Sequence, residues 1–202
     1  MSMASPPDPR ATTRTAGWSS HRRMTEARSL AEVLRTIQAR GAIGSSPIED
    51  AIAHAGRFAS RVPATAHSLA DLGSGGGLPG LVVATECPWL HVVLIERRMT
   101  RADLLRRAVV ALALEGRVRV HAGDVREVAA TAPHSFDVVT ARSFAAPAVT
   151  AHWASALLST GGVLLVSEPP DDTEERWPTA LVERCGLVDE GRDQGIRVLR
   201  RS

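Results

Sequence analysis

A glycine-rich stretch at residues 71–80 reads Asp-Leu-Gly-Ser-Gly-Gly-Gly-Leu-Pro-Gly. A short apolar lead precedes it and an apolar run follows at residues 81–84, a pattern that predicts a strand, a tight turn and a helix. Gly73, Gly75 and Gly77 have no Cβ, so the backbone there can adopt positive φ and approach a ligand closely. The N–H groups that open the next helix then point at that ligand. The stretch therefore predicts a site for a nucleotide-like cofactor in an α/β protein.

Two classes of cofactor fit such a turn. Gly75, Gly77 and Gly80 match the G-x-G-x-x-G pattern of dinucleotide-binding proteins, although that pattern alone is weak. Asp71, two residues before the first glycine, instead favours S-adenosylmethionine. Its carboxylate can accept hydrogen bonds from the amino group of the methionine moiety, whereas it would repel a pyrophosphate.

Acidic residues also end the next two predicted strands. Glu96 closes the apolar run at residues 91–96, where it can bind a ribose diol. Asp124 follows residues 118–123, where it can accept a hydrogen bond from the adenine amino group. The carboxyl ends of parallel strands meet at one edge of a sheet, so these acids are expected to lie near the glycine turn. The alternative is a glycine turn with ordinary solvent-facing acids.

Three segments carry a resemblance to a known family. They are residues 71–80, residues 94–98 together with Arg101, and residues 136–143, which read Phe-Asp-Val-Val-Thr-Ala-Arg-Ser. They resemble the glucose-inhibited division protein B family, whose members are guanine-N7 methyltransferases of small-subunit ribosomal RNA. The Gly-Leu-Pro-Gly ending is the most specific part, and the resemblance extends over residues 68–166. It implies a class I methyltransferase fold, S-adenosylmethionine as methyl donor, and ribosomal RNA or the small ribosomal subunit as partner.

The resemblance also implies a set of site residues. The cofactor-binding positions are Asp71, Gly73, Ser74, Gly75, Gly77, Leu78, Glu96, Asp124, Val125 and Arg142. Arg142 is in addition the candidate catalytic residue, because its guanidinium can hold the methionine carboxylate or an acceptor phosphate. Methyl transfer mainly requires that nucleophile and methyl carbon be held about 3–3.5 Å apart. Guanine N7 carries a lone pair and no proton, so no general base is expected.

Two segments depart from the family pattern. Family members usually carry an aromatic, Asn-rich helical segment before the glycine turn, which residues 45–54 match only faintly. After the fifth predicted strand they tend to carry Lys-Gly, whereas residues 167–172 read Ser-Glu-Pro-Pro-Asp-Asp and are expected to repel RNA phosphates. Two alternatives therefore stay open: a methyltransferase of a small molecule or protein, and a non-catalytic cofactor-binding or ribosome-assembly module. An NAD-dependent oxidoreductase fits less well.

Composition favours a single domain with a tail. The chain has 202 residues, 44% of them hydrophobic, and all 24 of its basic residues are Arg. The net charge of +2 is too small to indicate nucleic-acid binding by itself. Cys87 and Cys185 are far apart, so neither a disulfide framework nor a metal site is expected. Without a long apolar segment or a signal peptide, we expect a cytoplasmic protein with no membrane partner.

Three regions follow from the pattern along the chain. Residues 1–20, rich in Pro, Ser, Thr and Arg, are expected to be a disordered lead. Residues 21–66 are predicted to form a helical extension, with one helix capped by Thr25 and a second opened by a capping box at residues 46–49.

Residues 67–202 are predicted to form the S-adenosylmethionine-binding domain. Strands alternate there with helices, including one opened by a capping box at residues 100–103 and a last one at residues 173–185. A final hairpin at residues 187–199 reverses the strand direction. The expected fold is α/β and Rossmann-like: a mostly parallel seven-stranded sheet with helices on both faces.

Overall fold

The computed structural model describes residues 28–169 and 176–202. The expected disordered lead at residues 1–20 lies outside the described residues. Within them a single seven-stranded sheet has the order β3-β2-β1-β4-β5-β7-β6. The strands are β1 Ser68–Leu72, β2 His91–Ile95, β3 Val118–His121, β4 Phe136–Ala141, β5 Leu158–Ser167, β6 Leu187–Asp193 and β7 Ile196–Arg201.

The sheet is parallel from β3 to β5 and antiparallel at its other edge. β1 pairs in parallel with both β2 and β4, while β7 lies antiparallel between β5 and β6. The predicted mostly parallel seven-stranded sheet is confirmed. The chain runs from β1 outward to β2 and β3 and then returns to the other side of β1 to form β4, so the strand order reverses between β1 and β4. Such a switch point opens a crevice at the carboxyl ends of the strands.

Helices cover both faces of the sheet, as expected. On one face lie α1 Leu30–Gln38, α2 Ile48–Ala59, α3 Gly80–Glu86 and α4 Met99–Ala111, and on the other α5 Val125–Thr131, α6 Pro147–Leu157 and α7 Thr179–Arg184. Alternate strand residues divide between the two cores: Leu69 packs with α1–α4, and its neighbour Ala70 with α5–α7. No helix within residues 28–169 and 176–202 is long and apolar enough to cross a membrane.

The first helix begins later than the sequence pattern predicts. Thr25, the expected cap, lies outside the described residues, and α1 begins at Leu30. Ser29 is its N-cap: Ser29 Oγ accepts a hydrogen bond from Glu32 N, and Glu32 Oε2 accepts one from Ser29 N. The buried residues of α1 and α2 belong to the same core as α3 and α4. The predicted boundary between a helical extension ending at residue 66 and a cofactor-binding domain starting at residue 67 therefore stays a prediction.

Both capping boxes predicted from the sequence are wrong. The N-cap of α2 is Pro47, which has no side-chain acceptor, and Glu49 forms an ion pair with Arg35 of α1. The N-cap of α4 is Arg98, so Thr100 lies inside the helix, and Asp103 pairs with Arg106 at 2.7 Å. In each case the helix begins at a residue other than the one the predicted box requires as its N-cap. The last helix, α7, is also shorter than residues 173–185 and begins at Thr179.

Candidate functional site

The glycine turn after β1 has the backbone that the sequence predicts. Gly73, Gly75 and Gly77 have φ values of 63°, 55° and 92°. Gly77 N donates to Ser74 O at 2.7 Å, which closes the turn, and Ser74 N donates to Ile95 O at 3.0 Å, which ties it to the end of β2. The turn therefore lies at the sheet centre, between the carboxyl ends of β1 and β2.

Glu96 holds this turn from the neighbouring strand. It follows β2 directly, is 5% exposed, and its Oε2 accepts a hydrogen bond from Gly75 N at 2.9 Å. Its Oε1 accepts a second bond from Arg98 N at 2.8 Å. Each carboxylate oxygen has two lone pairs, so both can still accept a ribose hydroxyl. Glu96 thus orders the loop, and its binding of a ribose diol stays a prediction.

Asp124 is the N-cap of α5, a role that the sequence reasoning did not assign to it. Its Oδ1 accepts a hydrogen bond from Arg126 N at 3.0 Å, and Glu127 completes a capping box by accepting from Asp124 N. In that box the Asp124 side chain also accepts from the backbone N–H of Glu127. A bond from the adenine amino group to the Asp124 carboxylate stays a prediction.

These loops enclose a cleft of about 430 Å³ at the carboxyl ends of β1, β2 and β3. Four of the predicted cofactor-binding residues line it: Gly73, Glu96, Asp124 and Val125. Four arginines line it as well: Arg97, Arg98, Arg101 and Arg126. Among the predicted residues outside the lining, Gly75 binds Glu96 through its N–H, whereas Ser74 and Leu78 are buried within the turn. Gly77 does not line the cleft but packs closely against Leu81 of α3.

Asp71 lies beneath the turn and has no exposed surface. Its Oδ1 accepts a hydrogen bond from Thr140 Oγ1 at 2.7 Å, and its Oδ2 lies against Gly80 without a hydrogen bond among the described residues. Burial raises the pKa of Asp71 to about 6, although Thr140 and the charge of Arg142 act in the opposite direction. A direct bond from Asp71 to a methionine amino group stays a prediction, since the carboxylate faces the interior.

Arg142 follows β4 on the same side of the sheet as Asp71. It is half-buried, and it makes no side-chain hydrogen bond or ion pair with the described residues. Burial lowers the pKa of Arg142, which the carboxylate of Asp71 partly offsets. Burial is the main cause that lowers the pKa of His54 on α2, and the charge of Arg142 lowers it further. Arg142 does not line the cleft. The structure places its guanidinium near Asp71 and His54 instead.

A second cavity of about 270 Å³ adjoins the cleft. The two share the loop residues Ser143, Phe144 and Ala145, which follow β4. Ser143 has a φ of 53°, and the Phe144 ring lies so close to Gly73 that a Cβ there would come within 2.9 Å of it. Sequence reasoning missed Phe144, although it directly follows the Arg-Ser pair, and it missed His54, which also lines this cavity.

Glu168, expected to repel phosphates, is instead enclosed by arginines. Its side chain is 1% exposed, its Oε1 accepts a hydrogen bond from Arg197 Nε at 3.0 Å, and Arg192 Nε lies 3.6 Å from its Oε2. Its charge is therefore balanced within the protein. The other two carboxylates of this segment, Asp171 and Asp172, lie outside the described residues.

Comparison with known proteins places the chain in a family. Residues 46–176, more than half of the 202 residues, match the family described as rRNA small subunit methyltransferase G, or GidB. The chain belongs to the rRNA small subunit methyltransferase G family. One relative is the ribosomal RNA small subunit methyltransferase G of Mycolicibacterium gilvum, 39% identical over 132 residues, or 58% of this chain and 56% of the relative. The chain thus spans little more than half the length of the relatives it matches.

Solved structures agree on the fold. An O-methyltransferase family protein from Burkholderia thailandensis has a TM-score of 0.61 at 19% identity and covers 86% of this chain and 67% of its own. The P. horikoshii TYW2 structure, in complex with MeSAdo, has a TM-score of 0.58 at 15% identity. The match covers 79% of this chain and 63% of the TYW2 chain. At such identities the likeness shows the class I methyltransferase fold and leaves the reaction to be argued from the site.

Proposed function

We propose that the protein is an S-adenosylmethionine-dependent methyltransferase that methylates guanine N7 in small-subunit ribosomal RNA. One observation carries the proposal. In a chain of the rRNA small subunit methyltransferase G family, the glycine turn, Glu96 and Asp124 line a single cleft at the ends of three adjacent parallel strands. A glycine turn with scattered solvent-facing acids would not bring these groups together.

The donors of the cleft fit the adenosyl part of the cofactor. Glu96 offers carboxylate oxygens for two ribose hydroxyls, and Asp124 offers its carboxylate for the adenine amino group. Val125, 6% exposed at the start of α5, supplies an apolar surface for the adenine ring. Support also comes from the fold neighbour TYW2, which was solved with MeSAdo.

S-adenosylmethionine, when bound, supplies an activated methyl group to an acceptor with a lone pair. Guanine N7 needs no deprotonation, so the task of the protein is to position the base and to exclude water. Arg142 has unused donors beside Asp71 and is proposed to hold an anionic group, either the methionine carboxylate or an acceptor phosphate. Its fixed fork suits either oxyanion.

The arginines of the cleft suit an RNA partner. Arg97, Arg98 and Arg101 make no side-chain ion pair with described residues, and Arg126 lies 3.7 Å from Asp124. Such guanidinium groups can neutralise phosphates, which gives salt-dependent binding. We therefore propose the small ribosomal subunit or its RNA as partner, and with it the cytoplasm as the place of action.

The direct experiment is transfer of a labelled methyl group from S-adenosylmethionine to small ribosomal subunits that lack their own guanine-N7 mark. The expected result is label at N7 of one guanine, located by mapping of the RNA. Cofactor binding is measured in the same preparation by calorimetry, so that a failure of transfer can be told from a failure to bind.

Other outcomes point elsewhere. Cofactor binding without any labelled product would support a non-catalytic module. Label on a protein or a small molecule would show that another acceptor is used. Saturable binding of NADH in place of S-adenosylmethionine would contradict the assignment of the cleft itself.

A further inference from the structure

The second cavity has the composition of a nucleobase pocket. Phe144 and the buried ring of Trp177 line it, together with Pro147 and Pro169. A base drawn out of its stack is characteristically held between aromatic or apolar side chains and read along its Watson–Crick edge. At about 270 Å³ the cavity is smaller than the usual range of about 300–1,000 Å³ for ligand pockets, which suits one base better than a whole nucleotide.

Glu168 gives this cavity a polar group with spare capacity. The residue lines the cavity, and its carboxylate is buried with only Oε1 in a hydrogen bond. Oε2 has no hydrogen bond among the described residues, although Arg192 Nε lies 3.6 Å away. A buried oxygen without a donor is costly, so an occupant that brings an N–H group would be favoured there.

The order of the strands fixes where an occupant would lie relative to the cofactor. Gly73 follows β1, the shared loop of Ser143 to Ala145 follows β4, and Glu168 follows β5. These strands are adjacent in the order β1-β4-β5. A base above β4 therefore has Glu168 on one side and the cleft on the other.

We propose that the second cavity binds the acceptor guanine, with Glu168 accepting hydrogen bonds from its N1–H and N2–H groups. The inference rests on the proposed function and names the residue that selects the base. In guanine those two donors lie on the Watson–Crick edge, whereas N7 lies on the neighbouring Hoogsteen edge. A guanine held by Glu168 through its Watson–Crick edge would thus leave N7 free to face the cleft. Adenine has a lone pair at N1, which the carboxylate would repel.

The test compares guanosine with inosine at the acceptor position. Inosine keeps N7 and N1–H but lacks the N2 amino group, so it removes one of the two proposed donors. Small-subunit RNA is ligated with either nucleoside at the position labelled by the unmodified chain, and is reconstituted into subunits. The expected kcat/KM for inosine is lower by roughly 10-fold or more, the usual discrimination of a good paired contact.

Glu168→Gln removes the preference if the assignment is right. The carboxamide has one acceptor where the carboxylate has two, so activity toward guanosine should fall while the guanosine-to-inosine ratio approaches one. Asp189→Asn is the matched control. Asp189 pairs with the same Arg197 but does not line the cavity, so it should leave the ratio unchanged. Cofactor affinity and melting temperature are measured for each variant.

Each result decides a different point. Transfer by the unmodified chain with equal rates on guanosine and inosine overturns the role of Glu168 and leaves the proposed function intact. That comparison needs no variant, so it holds even if Glu168→Gln fails to fold. Absence of transfer to any RNA, with cofactor bound, overturns the proposed function as well. Label on a basic protein of the subunit would show that the cavity binds a cationic side chain instead.

Discussion

The buried polar groups at the carboxyl ends of the parallel strands differ in their hydrogen bonding from those at the amino ends. Among the described residues, three buried side-chain atoms at the carboxyl ends of strands lack a hydrogen bond: Asp71 Oδ2, His121 Nε2 and Glu168 Oε2. The latter two do have a charged neighbour, Glu127 Oε2 at 3.2 Å and Arg192 Nε at 3.6 Å. At the amino end, Asp137 Oδ2 accepts from Ser68 Oγ and from the N–H groups of His67 and Ser68, at 2.9–3.0 Å. The carboxyl end thus holds buried polar atoms without a hydrogen bond, whereas Asp137 at the amino end is fully supplied with donors.

The pKa directions of two aspartates on neighbouring strands express the same contrast. For Asp137, burial raises the pKa, but the hydrogen bonds from His67 and Ser68 outweigh it, and the net shift is downward. For Asp71, burial prevails and the pKa reaches about 6. Unpaired buried groups reduce stability, and natural proteins retain them where a ligand needs them. The amino end is therefore built for stability and the carboxyl end for binding.

The largest effect should come from Gly75→Val at the carboxyl end. Gly75 has a φ of 55°, which a β-branched residue tolerates poorly, and the added side chain would enter the space needed by the cofactor. We expect S-adenosylmethionine binding to be lost in calorimetry. Gly161→Val is the control, since Gly161 in β5 has a φ of 79° with nothing within 4 Å of a Cβ. A Gly75→Val protein that folds and binds normally would show that the turn is not the cofactor site.

Arg142→Met should separate function from stability. The guanidinium makes no side-chain hydrogen bond or ion pair with described residues, so the free energy of unfolding should change by less than about 1 kcal/mol. If Arg142 holds the methionine carboxylate or an acceptor phosphate as proposed, loss of this charged donor should lower kcat/KM by roughly 100-fold or more. Arg106→Met, on the exposed face of α4, should change neither quantity. A loss of several kcal/mol in urea unfolding would show that Arg142 is a structural residue.

Features that depend on neighbouring residues were predicted from the sequence better than features that depend on the fold. Strand positions were predicted closely because buried parallel strands are nearly continuous apolar runs: β2 and β3 lie within the predicted segments at residues 91–96 and 118–123. The glycine turn, Glu96 and Asp124 were found because their spacing from strand ends is local information. Helix caps were predicted less well, since α2 and α4 begin at other residues than the predicted Ser46 and Thr100 boxes require.

The second cavity is the part that the sequence did not reveal. Its walls come from α2, the loop after β4, the end of β5 and the segment before α7, so His54 and Glu168 are 114 positions apart. No short motif carries such a combination. The sequence also did not reveal that the charge of Glu168 is balanced, because its arginine partners come from the β6–β7 hairpin.

Asp71→Asn should change how stability depends on pH. The folded pKa of Asp71, about 6, lies above its ordinary value of 3.8, so between those pH values the native state retains a proton that the unfolded state has released. Its contribution to stability is thus complete below pH 3.8 and is lost as the pH rises toward 6, by up to about 3 kcal/mol. Urea unfolding from pH 4 to 7 should show the variant gaining stability relative to the unmodified chain over this window. A constant difference would contradict the raised pKa.

Asp137→Ala should give the smallest effect and the opposite pattern. Removal of the carboxylate leaves the N–H groups of His67 and Ser68 without their acceptor, and partial exposure lets water replace it, so we expect a loss of about 1–2 kcal/mol. Because the pKa of Asp137 is lowered, its contribution is present above the unfolded pKa and is lost as the pH falls through the folded value. The variant should therefore lose most stability near neutral pH and little in acid, with S-adenosylmethionine affinity unchanged. A weakened affinity without a loss of stability would mean that the amino end also shapes the site, and the division between the two ends would fail.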